Sequence, residues 1–186
     1  MGSITVKSLL RLLAVFPILL ASASWSSARA ADTQTTLCSD QETVVFSCAL
    51  SDRKLVSLCA SRNLSRDSGY LQYRFGQDIS GIELEYPSRS TRASVAFKYL
   101  HHYFAKGGTS AVSFRIGTFR YSLFRTTSAF GFNGAGVIVD KADKRIAYLR
   151  CEDSTILMDH DSFYHLSAVG LPDANGDVSY IGAEQP

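Results

Sequence analysis

Apolar and polar residues alternate with a period of two in short stretches between turn residues, from Val44 to Cys151, and this pattern constrains the chain more than any other. Successive side chains on a strand point to opposite faces, so each stretch reads as a half-buried antiparallel strand. Val44 to Cys48 places Val44, Phe46 and Cys48 on one face. After a turn at Ser51 to Arg53, Leu55 to Cys59 places Val56 and Leu58 inward. Tyr70 to Phe75 turns Leu71, Tyr73 and Phe75 inward, and Ile82 to Tyr86 turns Ile82, Leu84 and Tyr86 inward.

A further strand is predicted across Ala93 to Phe104, ended by Lys106-Gly107-Gly108-Thr109. Val112 to Ile116 and Phe119 to Phe124 hinge at Gly117-Thr118. Gly131 to Gly136 reads as a glycine-rich hairpin loop turning at Asn133-Gly134. Val137 to Val139 and Arg145 to Cys151 are joined across Asp140 to Lys144. About eight strands at this spacing predict an all-β domain, an antiparallel β-barrel or sandwich.

The first thirty residues follow a different rule. Lys7 and Arg11 precede the apolar run Leu12 to Ala21, and Ala28-Arg29-Ala30 closes the segment, which reads as a cleavable export signal over residues 1–30. The run is too short for a membrane anchor, which needs roughly 20 apolar residues. Cleavage would remove Lys7, Arg11 and Arg29 and no acidic residue, so a formal charge of +2 from 19 basic and 17 acidic residues becomes −1. A near-neutral mature chain lacks the basic excess that nucleic acid or an anionic membrane requires. The domain is expected over residues 31–151, with 152–186 packing on it or trailing from it as a C-terminal extension.

All four cysteines, Cys38, Cys48, Cys59 and Cys151, follow the signal. An even number in an exported chain predicts two disulfides, and the absence of C-x-x-C argues against a thiol oxidoreductase or zinc ribbon. If the first hairpin turns at Ser51 to Arg53, Cys59 lies at its far end beside the residues after Cys38. Cys48 shares the inward face of its strand, and Cys151 shares the face of Ala147 and Leu149. The expected pairs are therefore Cys38–Cys59 and a buried Cys48–Cys151.

Reactive groups are sparse. Asp159-His160-Asp161 with His165 supplies metal-ligand types, but five residues apart is off the shared face of a helix, and no metal or cofactor is expected. His101 and His102 would face opposite ways on a strand. No G-x-S-x-G is present for a serine hydrolase. Gly131 to Gly136 leads into a strand, not into the helix a dinucleotide loop requires. Arg74, Arg115, Arg120 and Arg125 interleave with aromatics and are read as lying on exposed faces, as are Glu83 and Glu85, for which no partner is visible.

The strings Val44 to Cys48, Lys54 to Cys59 and Gly69 to Gly76 resemble a group of uncharacterised secreted proteins of Gram-negative bacteria. An early strand ending in aromatic-x-cysteine, a meander, and a last strand closing with cysteine also resemble, more distantly, the periplasmic inhibitors of c-type lysozyme. That family presents loop residues that plug the lysozyme cleft. Its serine-glycine loop ending in an aromatic is approximated by Ser94-Val95-Ala96-Phe97, without the glycine. Its basic residue before glycine is approximated by Phe114-Arg115-Ile116-Gly117. The resemblance implies a partner-binding surface of Ser94, Phe97, Arg115 and Gly117, and a protein partner in the periplasm.

Three function classes are carried forward: a non-enzymatic inhibitor or immunity-type partner of a cell-wall hydrolase; a small-ligand or envelope module with a cavity among Phe46, Tyr73, Phe114 and Tyr121; and a hydrolase built on His160, His165 and Asp161.

Overall fold

The computed structural model describes residues 35–89, 91–131, 133–158 and 162–174, all within the compact unit Thr33–Pro186. The predicted signal lies outside them. Nine strands form two antiparallel meanders. The first sheet holds β1 (Glu42–Ala49), β2 (Leu55–Ser61), β3 (Leu71–Gly76) and β4 (Ile82–Tyr86). After a helical turn, α1 (Ala93–Ala96), the second holds β5 (Lys98–Phe104), β6 (Gly107–Ile116), β7 (Phe119–Ser128), β8 (Gly134–Lys141) and β9 (Lys144–Arg150). A 3-10 turn at Asp153–Thr155 and helix α2 (Ser162–Ala168) follow. Each sheet keeps its sequential order, and neither closes on itself, so the expected choice between barrel and sandwich resolves as a sandwich. No helix among the described residues is long and apolar enough to cross a membrane.

The main core joins residues of both sheets. Val56, Leu58, Leu71 and Tyr73 come from the first, and the cross-strand row Tyr99, Val112, Leu123 and Val137 from the second. Aromatic rings fill the space between. Phe114 stacks on Tyr86 at 4.5 Å and on Tyr121 at 5.0 Å, while Tyr73 and Phe97 meet it tilted at 5.0 and 5.6 Å. Phe46 packs instead on Phe163 of α2, 5.8 Å away. The interior cavity expected among Phe46, Tyr73, Phe114 and Tyr121 is thus replaced by packed rings, because aromatic pairs at these separations attract beyond simple area burial.

Several local expectations need correction. A register shift between Val44 and Phe46 inserts an extra residue in β1, so Val45 joins the core where Val44 was expected. Ala93–Ala96 is a turn of helix, not strand: the chain passes here from one sheet to the other, and the Phe97 N–H bonds the Ala93 carbonyl at 2.9 Å. Gly107 and Gly108 do not end a strand but open β6, and Gly134 and Gly136 lie in β8. A side chain on Gly136 would run into the Leu149 carbonyl of β9, so this glycine serves a close backbone approach. The β7–β8 turn is centred before Asn133, whose side-chain oxygen accepts from the Ser128 N–H at 2.9 Å.

Beyond Cys151 the chain packs on the sandwich. Leu157 bonds both ways to Ser47 on the outer edge of β1, at 2.8 Å each, and Pro172 and Ala174 bond to Tyr99 on the outer edge of β5. Phe163 and Leu166 of α2 enter the core. Unpaired strand edges invite association with other chains, and this segment covers part of the edge of β1 in one sheet and of β5 in the other.

Both disulfides pair as expected, Cys38–Cys59 and Cys48–Cys151, and the second is buried. Disulfides persist in oxidising, non-cytoplasmic compartments, with which this chain is consistent. The segment before β1 lies over the outer face of the first sheet, where the Leu37 N–H donates to Ser57 Oγ at 2.9 Å. Beside it the Arg74 guanidinium bonds Glu42 at 2.6 and 3.0 Å, Glu85 at 3.1 Å and the Leu37 carbonyl at 2.9 Å. Arg74 is therefore largely buried, and Glu85 has the partner that its sequence did not reveal. Glu83 likewise pairs with Lys54 at 2.9 Å.

Burial works to raise the Glu42 pKa, but the bonds from Arg74 and from the Ser39 amide and hydroxyl outweigh it, and the carboxyl is held below its ordinary value near 4.5. A depressed carboxyl stabilises the fold fully above that value and loses its contribution as pH falls through the folded pKa. Urea midpoints taken between pH 6 and 3 should therefore fall at the acid end, with a shallower fall in Glu42→Gln. Parallel curves for the two proteins would show that this carboxyl does not govern acid sensitivity.

Candidate functional site

A cavity of about 330 Å³ opens where α1, the start of β5 and the β6–β7 hairpin meet. Its wall is aromatic, from Tyr86, Phe97 and Phe114, and its polar groups are the Ser94 and Ser113 hydroxyls and three cations, Lys98, Arg115 and Arg120. Among the described residues no carboxylate lines it. Local folding places each group. The helical turn of α1 buries Ala93 and turns Ser94 toward partial exposure, and β5 begins at once with exposed Lys98. Ser113 stands directly across from Lys98, and Arg115 directly across from Arg120.

Two arginines facing each other across a strand pair repel. Arg120 is buried, against its expected exposure, and its charge is met from the far side: Nη2 and Nε reach Asp140 Oδ2 at 2.9 and 3.3 Å, and Nη1 reaches Asp143 at 3.2 Å. Asp140 was expected in a five-residue connection. Instead Ala142 and Asp143 take positive φ in a two-residue turn, which leaves Asp140 in β8 opposite Arg120. Arg115 and Lys98 are exposed at the cavity, whereas Arg120 is buried behind them.

Of the residues implied by the resemblance, Ser94, Phe97 and Arg115 come together on this cavity and Gly117 does not line it. Gly117 sits in the two-residue β6–β7 turn with φ of +58°, a conformation that favours glycine. Phe97 is 1% exposed and belongs to the core, so its ring supports the wall and is not available to insert into a partner. Lys98 and Arg120 were missed. Lys98 opens a strand whose start the sequence placed five residues earlier, and Arg120 alternates like a solvent-facing residue. Among residues considered for a hydrolase, His165 is exposed on α2, while His160 and Asp161 lie outside the described residues.

The chain matches no protein-family model, no curated protein and no solved structure, so its function has to be argued from the chemistry of these groups.

Proposed function

We propose that the protein is an exported, periplasmic, non-enzymatic binding protein that blocks a cell-wall hydrolase of the lysozyme type by presenting the rim of this cavity to the enzyme's cleft. The observation that supports this reading is the lining of Lys98, Arg115 and Arg120 with no carboxylate among the described residues, Arg115 and Lys98 being exposed and Ser94 partly so. A glycoside hydrolase cleft holds a pair of carboxyl groups flanking the scissile bond, and an exposed guanidinium beside a hydroxyl is complementary to it. Local charge therefore supports the contact although the mature chain as a whole is close to neutral.

The test is titration of the oxidised protein lacking residues 1–30 against c-, g- and i-type lysozymes on peptidoglycan. Stoichiometric inhibition of one class is expected. Arg115→Glu should weaken it about 100-fold or more, since a like charge set against a carboxylate costs several kcal/mol, and Ser94→Ala should weaken it less. No inhibition of any class would end this reading.

A further inference from the structure

A second concavity, of about 460 Å³, lies between β5, β6 and β7 and the chain that follows Cys151. Across these three strands His101, Ser110 and Arg125 stand in one row, each directly opposite the next. Each is two residues along its strand from a core residue, Tyr99, Val112 or Leu123, so the row faces inward, next to the apolar row that those residues form. Ile156, Met158 and Phe163 supply an apolar wall, and Gly107 and Gly108 leave part of the lining free of side chains. Packing alone does not call for three polar groups here.

Their hydrogen bonds leave donors over. His101 Nδ1 lies 2.6 Å from Ser110 Oγ, while Nε2 is buried with no partner among the described residues. Burial first, and the nearby His102 second, hold the imidazole pKa below its ordinary value, so the ring is neutral at pH 7. A neutral ring carries one N–H. Placing it on Nε2 would bury an unpaired donor, so the proton belongs on Nδ1, which donates to Ser110 Oγ. The Ser110 hydroxyl hydrogen is then free to point into the cleft. Among the described residues no carboxylate pairs with Arg125, and Asp153, at the rim, is directed to Arg150 at 3.6 Å. Among the described residues the far imidazole nitrogen also meets no carboxylate of the kind that orients the base of a catalytic triad, which argues against a nucleophilic serine.

We infer that this cleft binds a small organic anion, a carboxylate or phosphate ester on an apolar body, held by the Arg125 guanidinium and the Ser110 hydroxyl. The body rests on Ile156, Met158 and Phe163. The site shares no lining residue with the Ser94 and Arg115 cavity and stands whether or not that cavity binds a hydrolase.

Calorimetric titration of the oxidised protein with benzoate and phenyl phosphate, and with benzyl alcohol as the neutral analogue, tests it. At least one of the two anions should bind about tenfold or more tightly than the alcohol, the discrimination a charge-assisted hydrogen bond gives. Arg125→Gln should abolish that preference, Arg125→Lys should restore part of it, and Ser110→Ala should weaken both anions several-fold. Lys144→Gln, on the exposed β8–β9 turn, should bind as the parent does. Equal affinity for benzoate and benzyl alcohol, no change in Arg125→Gln, or no binding of either anion would overturn the assignment.

Discussion

Replacing Cys48 and Cys151 together by alanine is expected to remove about 4–5 kcal/mol of stability, on the chain-entropy account of a loop of roughly a hundred residues. The bond spans 103 residues and joins β1 of the first sheet to the end of β9 in the second, with both sulfurs buried. Without it the unfolded chain regains the freedom of almost the whole domain, and two buried half-cystines become smaller methyls. For a domain of this size each kcal/mol moves the thermal midpoint by roughly 2–4 °C, so a fall of about 10–15 °C is the expected reading. The Cys38→Ala and Cys59→Ala double variant provides the comparison. That bridge closes 21 residues at the end of the first hairpin, and its removal should cost about 3 kcal/mol. Urea unfolding of the three proteins decides the matter: an equal or larger loss from the short loop would show that the long bridge does not act through chain entropy.

The second large effect is expected at the Arg120–Asp140 pair. Arg120→Met should cost about 3–5 kcal/mol, because it removes the guanidinium bonded at 2.9 Å to a carboxylate that is 2% exposed in the sheet. Asp140→Leu should cost less: the guanidinium keeps Asp143, a residue close to solvent, although it then faces Arg115 with less of its charge balanced. The double variant should be less damaged than Arg120→Met alone, since two apolar side chains replace a desolvated pair instead of orphaning half of it. A double-mutant cycle by urea unfolding measures the coupling. Additive losses would mean that the 2.9 Å contact contributes nothing specific. The same cycle bears on the cavity, because Arg120 lines it and Asp140 is bonded to Arg120.

Most of the sandwich was legible in the sequence, for a local reason. Strand alternation depends on whether each residue meets core or water, and that preference is written residue by residue. Val56, Leu58, Leu71 and Tyr73 were all placed on the correct face by it. The disulfide pairing followed from the same faces, because cysteines on strands of assigned orientation have few partners within reach. Wherever the backbone departed from regular pairing, the reading slipped. The β1 bulge exchanged Val44 for Val45, and the glycines of β6 and β8 read as breakers when they mark close strand contacts.

The candidate sites were legible only in part. Ser94 and Arg115 were named and do meet on one cavity, whereas Phe97, chosen for its aromatic ring, is core. A buried aromatic and an exposed one look alike in a row of residues. Arg120 and Arg125 carry the same alternation signal as any solvent-facing arginine, yet one is buried against Asp140 and the other stands in a cleft beside Ser110.

By itself, then, the sequence determined that this is an all-β chain with two disulfides, where nearly all its strands lie and which faces most strands of the first sheet bury. Those are short-range matters of polarity and turn chemistry. Only the tertiary structure decided how the two sheets pack over an aromatic core, that the residues after Cys151 bond to the edges of β1 and β5, and which charged residues face each other. Those outcomes depend on strand order, on one-residue shifts of register and on partners up to a hundred residues apart, and no local pattern carries that information.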